Sequence, residues 1–362
     1  MHNDIRSLRW RAGRAMSHAR MDRGHMRLGV LDVGSNAAQL QVVDAFAGGP
    51  PLPIRAVKIP TRLGEEACAE GEIGQNGQDR IVAAVQQAVE AARALNVDQL
   101  YPFVTAAIRD SSNRDDVLQR VLDETGTRLR FLSGEQEARL TYFAVRSWYG
   151  WQAGRLLNID IGGGSMELAF GRDAEPELAV SLPLGAGRVS TGYLRPDPPS
   201  KAQVKDLRRY VRQQVREVAN RVQWEGTPRR VVVSSKTFKQ LARFGGAACG
   251  RKGPFVRRRV SRAKIAQSVR DLMSVSAPER AQFRGVKPTR AWQILGGAVV
   301  ACETMRCLGI ERAEVSPWAL REGIMLQYLS SLRLPDGELT LQPLTFDESD
   351  QSATVRALTP RS

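Results

Sequence analysis

Two stretches of the sequence set a carboxylate beside a turn of small residues. Asp32-Val33-Gly34-Ser35-Asn36 follows an apolar run at 28–32, and Asp160-Ile161-Gly162-Gly163-Gly164-Ser165-Met166-Glu167 follows one at 155–160. Small side chains let backbone N–H groups come close to an anion. Three successive glycines each cost about 0.5–1 kcal/mol relative to alanine in regular structure, so something must approach that backbone. Asp160 and Glu167 flank the turn and could hold a magnesium ion over bound phosphates. An ordinary hairpin turn accounts for the first stretch as well as an anion site does; the pair together reads as a two-jawed phosphate clamp. Neither stretch is a GxGxxG opening a helix or a GxxxxGK[ST], which argues against a dinucleotide fold and a P-loop.

Two further stretches supply groups for hydrolysis. Ser133-Gly134-Glu135-Gln136-Glu137-Ala138-Arg139-Leu140 sits at a strand-to-helix junction. Glu135 and Glu137 suit a helix N-terminus for electrostatic reasons alone, and either could serve as general base for an attacking water. Thr105 to Asn113 places Arg109 just after a strand, where a guanidinium can pair bidentately with phosphate or form a surface ion pair. The histidines are His2, His18 and His25. From residue 26 onward, therefore, Ser-His-Asp, Cys-His and His-ligated zinc chemistry is excluded. Carboxylates, backbone amides, Arg or Lys, and a hard metal ion remain.

The elements that must position these groups follow from periodicity. Runs at 28–32, 40–46, 54–59, 100–105 and 128–132 read as strands, and residues 79–95 and 135–148 read as helices. The opening theme then recurs. LGVLDVGSN at 28–36 and LLNIDIGGGS at 156–165 are a short internal repeat, each copy leading into another strand. Residues 201–222 carry an apolar stripe of Val204, Leu207, Val211, Val215, Val218 and Val222, with Lys201, Lys205, Arg208, Arg209, Arg212 and Arg216 largely off it. Strands at 231–233 and 313–315 and helices at 294–308 and 317–329 complete the pattern. The expected division is a basic tail at 1–25, a first domain at 26–133, a second at 134–332 and a polar tail at 333–362.

With 362 residues, 42% of them hydrophobic and 25% charged, the chain can bury an ordinary core. Its apolar stretches, such as 294–301, fall far short of the roughly 20 residues a membrane-spanning helix needs. Fifty-three basic residues against 38 acidic give a net charge of +15, which favours polyanionic partners. Cys68, Cys249, Cys302 and Cys307 form no CxxC and read as reduced thiols of a cytoplasmic protein.

DVGSN, RLGE at 62–65, the 105–113 segment, SGEQEARL, DIGGGSMEL, SLPLGAGR at 181–188, SSKTF at 234–238 and ALREG at 319–323 resemble, in order, the motifs of the exopolyphosphatase and guanosine pentaphosphate phosphohydrolase (Ppx/GppA) family. SSKTFKQLAR and SPWALREG look like its short, two-domain actinobacterial exopolyphosphatases. The likeness runs from about residue 27 to 329. It implies an α/β fold of two RNase H-like domains, as in the actin, Hsp70 and sugar-kinase superfamily, with the active site in the interdomain cleft. It implies Glu137 as catalytic base and Arg109 as its catalytic companion on the phosphates. Asp32, Asp160 and Glu167 would bind Mg²⁺ (or Mn²⁺) or position water. Gly34, Ser35 and Asn36 would form one phosphate loop and Gly162, Gly163, Gly164 and Ser165 the other, with Ser235 and Lys236 lining the channel behind. The sequence departs from the family pattern at Ala37, Gln39 and Met166, and the hydroxyl missing at 37 removes a contact to phosphate or metal.

The expected reaction is release of orthophosphate from the end of inorganic polyphosphate, with the basic helix at 201–222 and the run at 251–264 guiding the polyanion. Hydrolysis of pppGpp to ppGpp is the alternative within the family. A non-catalytic polyphosphate or nucleotide sensor is the alternative outside it, with Ala37 as its support. Specific nucleic-acid binding is not expected, because no recognition motif is present and aromatic residues are only 6%. A homodimer is a further expectation.

Overall fold

The computed structural model describes residues 26–46, 48–63, 71–331, 341 and 343–345. The basic segment at 1–25, Gly64 and Glu65 of RLGE, Cys68 and most of 333–362 lie outside the described residues.

The chain builds the same unit twice. In the first, β1 (Met26–Val33), β2 (Ala37–Ala45) and β3 (Arg55–Pro60) form an antiparallel meander, and β4 (Gln99–Val104) pairs parallel to β1. The two-residue β5 (Arg130–Phe131) continues parallel to β4. In the second, β6 (Leu156–Ile161), β7 (Met166–Gly171) and β8 (Leu178–Leu182) form the meander, and β9 (Arg230–Ser234) pairs parallel to β6. Then β11 (Arg312–Val315) runs parallel to β9, with β10 (Arg259–Ser261) antiparallel at the edge. The registers coincide. Asp32 lies opposite Gln39 across β1 and β2, as Asp160 lies opposite Glu167 across β6 and β7.

Helices cover the sheets as their apolar periods require. In α1 (Gln75–Ala94), Ile81, Val82, Val85, Ala88, Val89 and Ala92 are buried against the first sheet. α2 (Ala106–Arg109) and α3 (Arg114–Thr125) follow β4. α4 (Gly134–Tyr149) joins the halves. In the second half, α5 (Ala186–Tyr193), α6 (Lys201–Glu225), α7 (Ser235–Phe244), α8 (Arg262–Met273), α9 (Ala277–Arg280) and α10 (Ile294–Cys307) surround the second sheet. All six stripe positions of α6 are buried.

Two findings change the expected layout. α11 (Leu320–Ser331), assigned by sequence to the second domain, buries Ile324, Met325, Tyr328 and Leu329 against Leu28, Val30, Tyr101 and Phe103 of the first sheet. Within the stretch read as a polar tail, Leu341 is buried and β12 (Leu344–Thr345) pairs antiparallel with β4. The C-terminal part of the chain therefore crosses back and ties the halves together. No helix among the described residues is long and apolar enough to cross a membrane, and Cys249, Cys302 and Cys307 are free thiols.

Candidate active site

Both β1 and β6 run toward the same cleft, and their hairpin turns meet there. A Cβ on Gly163 would sit 2.5 Å from Ser35 Oγ, and one on Gly164 would sit 2.7 Å from the Ala106 Cβ, so glycine is required by close approach at both positions. The first turn of α5 fixes the second loop. Ala186 N–H donates to Gly162 O at 3.0 Å, and Gly187 and Arg188 N–H donate to Gly163 O at 2.9 and 3.1 Å. With these carbonyls turned to α5, the N–H groups of Gly163 and Gly164 have no partner among the described residues, nor do those of Ser35 and Asn36. Unpaired backbone donors on facing loops suit an anion.

A cavity of about 170 Å³ lies between them. Its walls include Asp32, Gly34, Ser35, Asn36, Glu137, Asp160, Gly162, Gly163, Gly164, Ser165, Glu167, Ser235 and Lys236. These are the residues expected from sequence, save one. Arg109 is not on the wall; it stands behind Glu137 and is bonded to it. It also donates to Leu132 O at 3.1 Å and to Asp110 Oδ1 at 2.8 Å.

The SGEQEAR segment separates by role. Ser133 and Gln136 form a reciprocal capping box, with Gln136 N–H on Ser133 Oγ at 3.1 Å and Ser133 N–H on Gln136 Oε1 at 2.8 Å. Glu135 faces solvent and pairs with Arg139 at 2.8 Å. Glu137 turns inward and is only 6% exposed. The rotation of α4 turns Glu137, and not Glu135, into the cleft. Ser235 begins α7 with φ of 86°, an uncommon conformation for a residue with a side chain; such strain clusters at functional sites.

The carboxylates tune one another. Burial pushes the Glu137 carboxyl well above the usual range, and the nearby Glu167 charge adds to this, while Arg109 opposes it. Burial and then Asp160 push Glu167 up to about 7, against the hydroxyl of Ser181, which donates to Glu167 Oε1 at 2.9 Å. Burial likewise raises Asp160. On the first jaw, Asp32 faces Arg321 Nη1 at 3.4 Å. Lys236 reaches across the cleft to Gln39 Oε1 at 2.8 Å; partial loss of its hydration, and then Arg321, draw its ammonium down to about 7.

Among the described residues no three acid, histidine or cysteine side chains are grouped to hold a metal ion, so Asp32, Asp160 and Glu167 do not make a three-ligand cage. The donor set still fits a hydrated Mg²⁺. That ion takes one or two carboxylates and completes its shell with water and substrate phosphates. Asp160 and Glu167, opposite each other across β6 and β7 and both on the cavity wall, would offer that coordination.

Sequence reasoning missed Lys58, Arg290 and Thr141 on the cavity wall, and quoted Arg321 only as part of a motif. Lys58 and Arg290 carried no local signal, because a β-strand lysine and a loop arginine reach the cleft only through the tertiary fold. Some of the basic residues expected to guide substrate are engaged elsewhere. Arg208 and Arg212 of α6 pair with the buried Glu303 of α10. Arg258 donates to the carbonyls of Ala248, Cys249, Gly253 and Val256, and Arg257, Arg258 and Arg259 line a separate cavity with Lys264.

Several known proteins resemble this chain. The exopolyphosphatase 1 of Mycobacterium tuberculosis is 46% identical over 306 residues, covering 84% of this chain and 89% of that protein. The exopolyphosphatase 1 of Mycobacterium leprae is 43% identical over 336 residues, covering 92% and 98%. The crystal structure of an exopolyphosphatase from Cytophaga hutchinsonii shares the fold with a TM-score of 0.76 at 21% identity, over 84% of this chain and 98% of that one. The profile of the Ppx/GppA phosphatase family matches residues 42–332. The chain therefore belongs to the Ppx/GppA phosphatase family, as a phosphoanhydride hydrolase built from two similar α/β halves.

Proposed function

We propose that the chain is an exopolyphosphatase that removes terminal orthophosphate from inorganic polyphosphate. The observation that carries this reading is the buried Glu137 carboxylate facing two glycine-rich loops whose N–H groups are unpaired among the described residues. Glu137 accepts a proton from water as the water oxygen bonds to the terminal phosphorus. The P–O–P bridge breaks, and the shortened chain leaves with its bridging oxygen. Burial raises the Glu137 carboxyl above the ordinary glutamate range, which makes it a stronger base, and Arg109 keeps it available as the anion. The loop N–H groups take up charge on the transferred phosphoryl group. Mg²⁺ or Mn²⁺ held by Asp160 and Glu167 would supply further positive charge against the phosphate oxygens.

The rest of a polyanion has a path to follow. Lys58, Lys236, Arg290 and Arg321 line the cavity beside the acidic cluster, and burial, then the charges of Lys287 and Arg290, lower the Lys58 pKa. Among the described residues none of Lys58, Lys287 and Arg290 is held in an ion pair. Like charges gathered in this way favour a bound polyanion.

Hydrolysis of pppGpp is the second reading, and one feature supports it. A neighbouring cavity of about 370 Å³ shares Ser35, Ala106, Gly163 and Gly164 with the first and is lined by Leu63, Ile73 and Trp292, which suits a nucleoside tail. The test is phosphate release from polyphosphate, pppGpp and ATP side by side, with and without Mg²⁺. Preference for pppGpp over polyphosphate would reverse the order of the two readings. Binding without release from any of the three would leave a sensor.

A further inference from the structure

Glu137 is held by more than Arg109. The Arg109 guanidinium uses Nη1 for Glu137 and for Leu132 O, and Nε for Asp110 Oδ1 at 2.8 Å. The other oxygen of Asp110, Oδ2, accepts from Arg188 Nη2 at 2.8 Å. Arg188 in turn donates Nε to Gly164 O at 2.8 Å. These bonds make one continuous chain from the base on α4, through α2 of the first half, to α5 and the glycine loop of the second half.

We propose that Asp110 and Arg188 are positioning residues: the chain Glu137–Arg109–Asp110–Arg188–Gly164 aligns the base with the phosphate loop across the domain boundary. This rests on the reading of Glu137 as base. Three points support it. Asp110 is shared by two guanidiniums, one from each half, so it links Arg109 to the second half. Arg188 serves Asp110 and Gly164 with two edges of one rigid fork, a geometry lysine cannot reproduce. The Asp110 and Arg188 side chains are 33% and 43% exposed, so their pairing adds little to stability. A pair of small energetic weight that links the base to the loop acts chiefly on geometry. A misplacement of about 1 Å at a reacting centre costs up to ~10²-fold in rate.

The experiment measures kcat and KM for polyphosphate, with melting temperature, for Asp110→Asn and Arg188→Gln, each in the wild-type and Glu137→Gln backgrounds. The expected result is a ~10-fold loss in kcat for each single variant with KM within about threefold, at unchanged melting temperature. In the Glu137→Gln background neither substitution should lower the residual rate further, because both act through Glu137. A general loosening of the fold would lower that residual rate too, and would overturn the proposal. So would a large rise in KM with kcat intact, which would make Arg188 a substrate contact. If Glu137→Gln itself turns over at the wild-type rate, the base assignment fails and the relay with it. If Glu137→Gln is slow while Asp110→Asn and Arg188→Gln run at the wild-type rate, the relay alone fails.

Discussion

Gly323→Ala adds one methyl group at the contact between the two helices that carry the site. A Cβ at Gly323 of α11 would lie 2.1 Å from the Leu140 carbonyl oxygen of α4 and 2.8 Å from its carbon. Ordinary contact begins near 3.4 Å, so the helices must part by about 1 Å, and the obstacle is backbone that cannot rotate away. Glu137 precedes Leu140 by one helical turn, and Arg321 precedes Gly323 by two residues, so the movement reaches both sides of the cleft. Overpacking of this kind costs about 1–3 kcal/mol. A shift of about 1 Å at the base lowers kcat by ~10–100-fold. Urea unfolding followed by tryptophan fluorescence reads the first effect, and phosphate release from polyphosphate reads the second. A Gly323→Ala protein with the wild-type unfolding midpoint and rate would refute the argument that this contact fixes the site.

Two further outcomes are expected. Because burial and Glu167 raise the Glu137 carboxyl, and the base must be ionised, the acid limb of kcat should lie above pH 4.5, the ordinary value for glutamate; a pH–rate profile with full activity down to pH 5 would contradict this. Lys58→Gln should raise KM for long polyphosphate by about 3–10-fold while changing a triphosphate-sized substrate less, whereas Arg257→Gln, on a separate cavity, should alter neither. Equal effects from the two substitutions would put the substrate path elsewhere.

The two loops were legible because strand period and glycine content are local properties. The matching registers, Asp32 with Gln39 and Asp160 with Glu167, follow from the same hairpin pattern used twice. They also show what Gln39 is: the first-half counterpart of Glu167, neutral where its twin is acidic and bonded to Lys236. Helix rotation was not legible in the same way. Glu135 and Glu137 lie in the first turn of α4, and only the packing of Leu140 and Tyr142 decides which one enters the cleft. The surroundings of the 257–259 run were not legible either, for a related reason. Charge density in sequence says nothing of carbonyls, and Arg258 is spent on four of them. β12 escaped notice because a two-residue edge strand has no period, and its pairing with β4 spans some 240 residues.

The most direct test of the central claim is one comparison: orthophosphate released from long-chain polyphosphate by the wild type and by Glu137→Gln, in Mg²⁺, with polyphosphate binding measured on the same samples. Binding should persist in the variant while turnover falls by ~10²–10⁴-fold. Turnover at the wild-type rate, with Glu137 replaced, would contradict it.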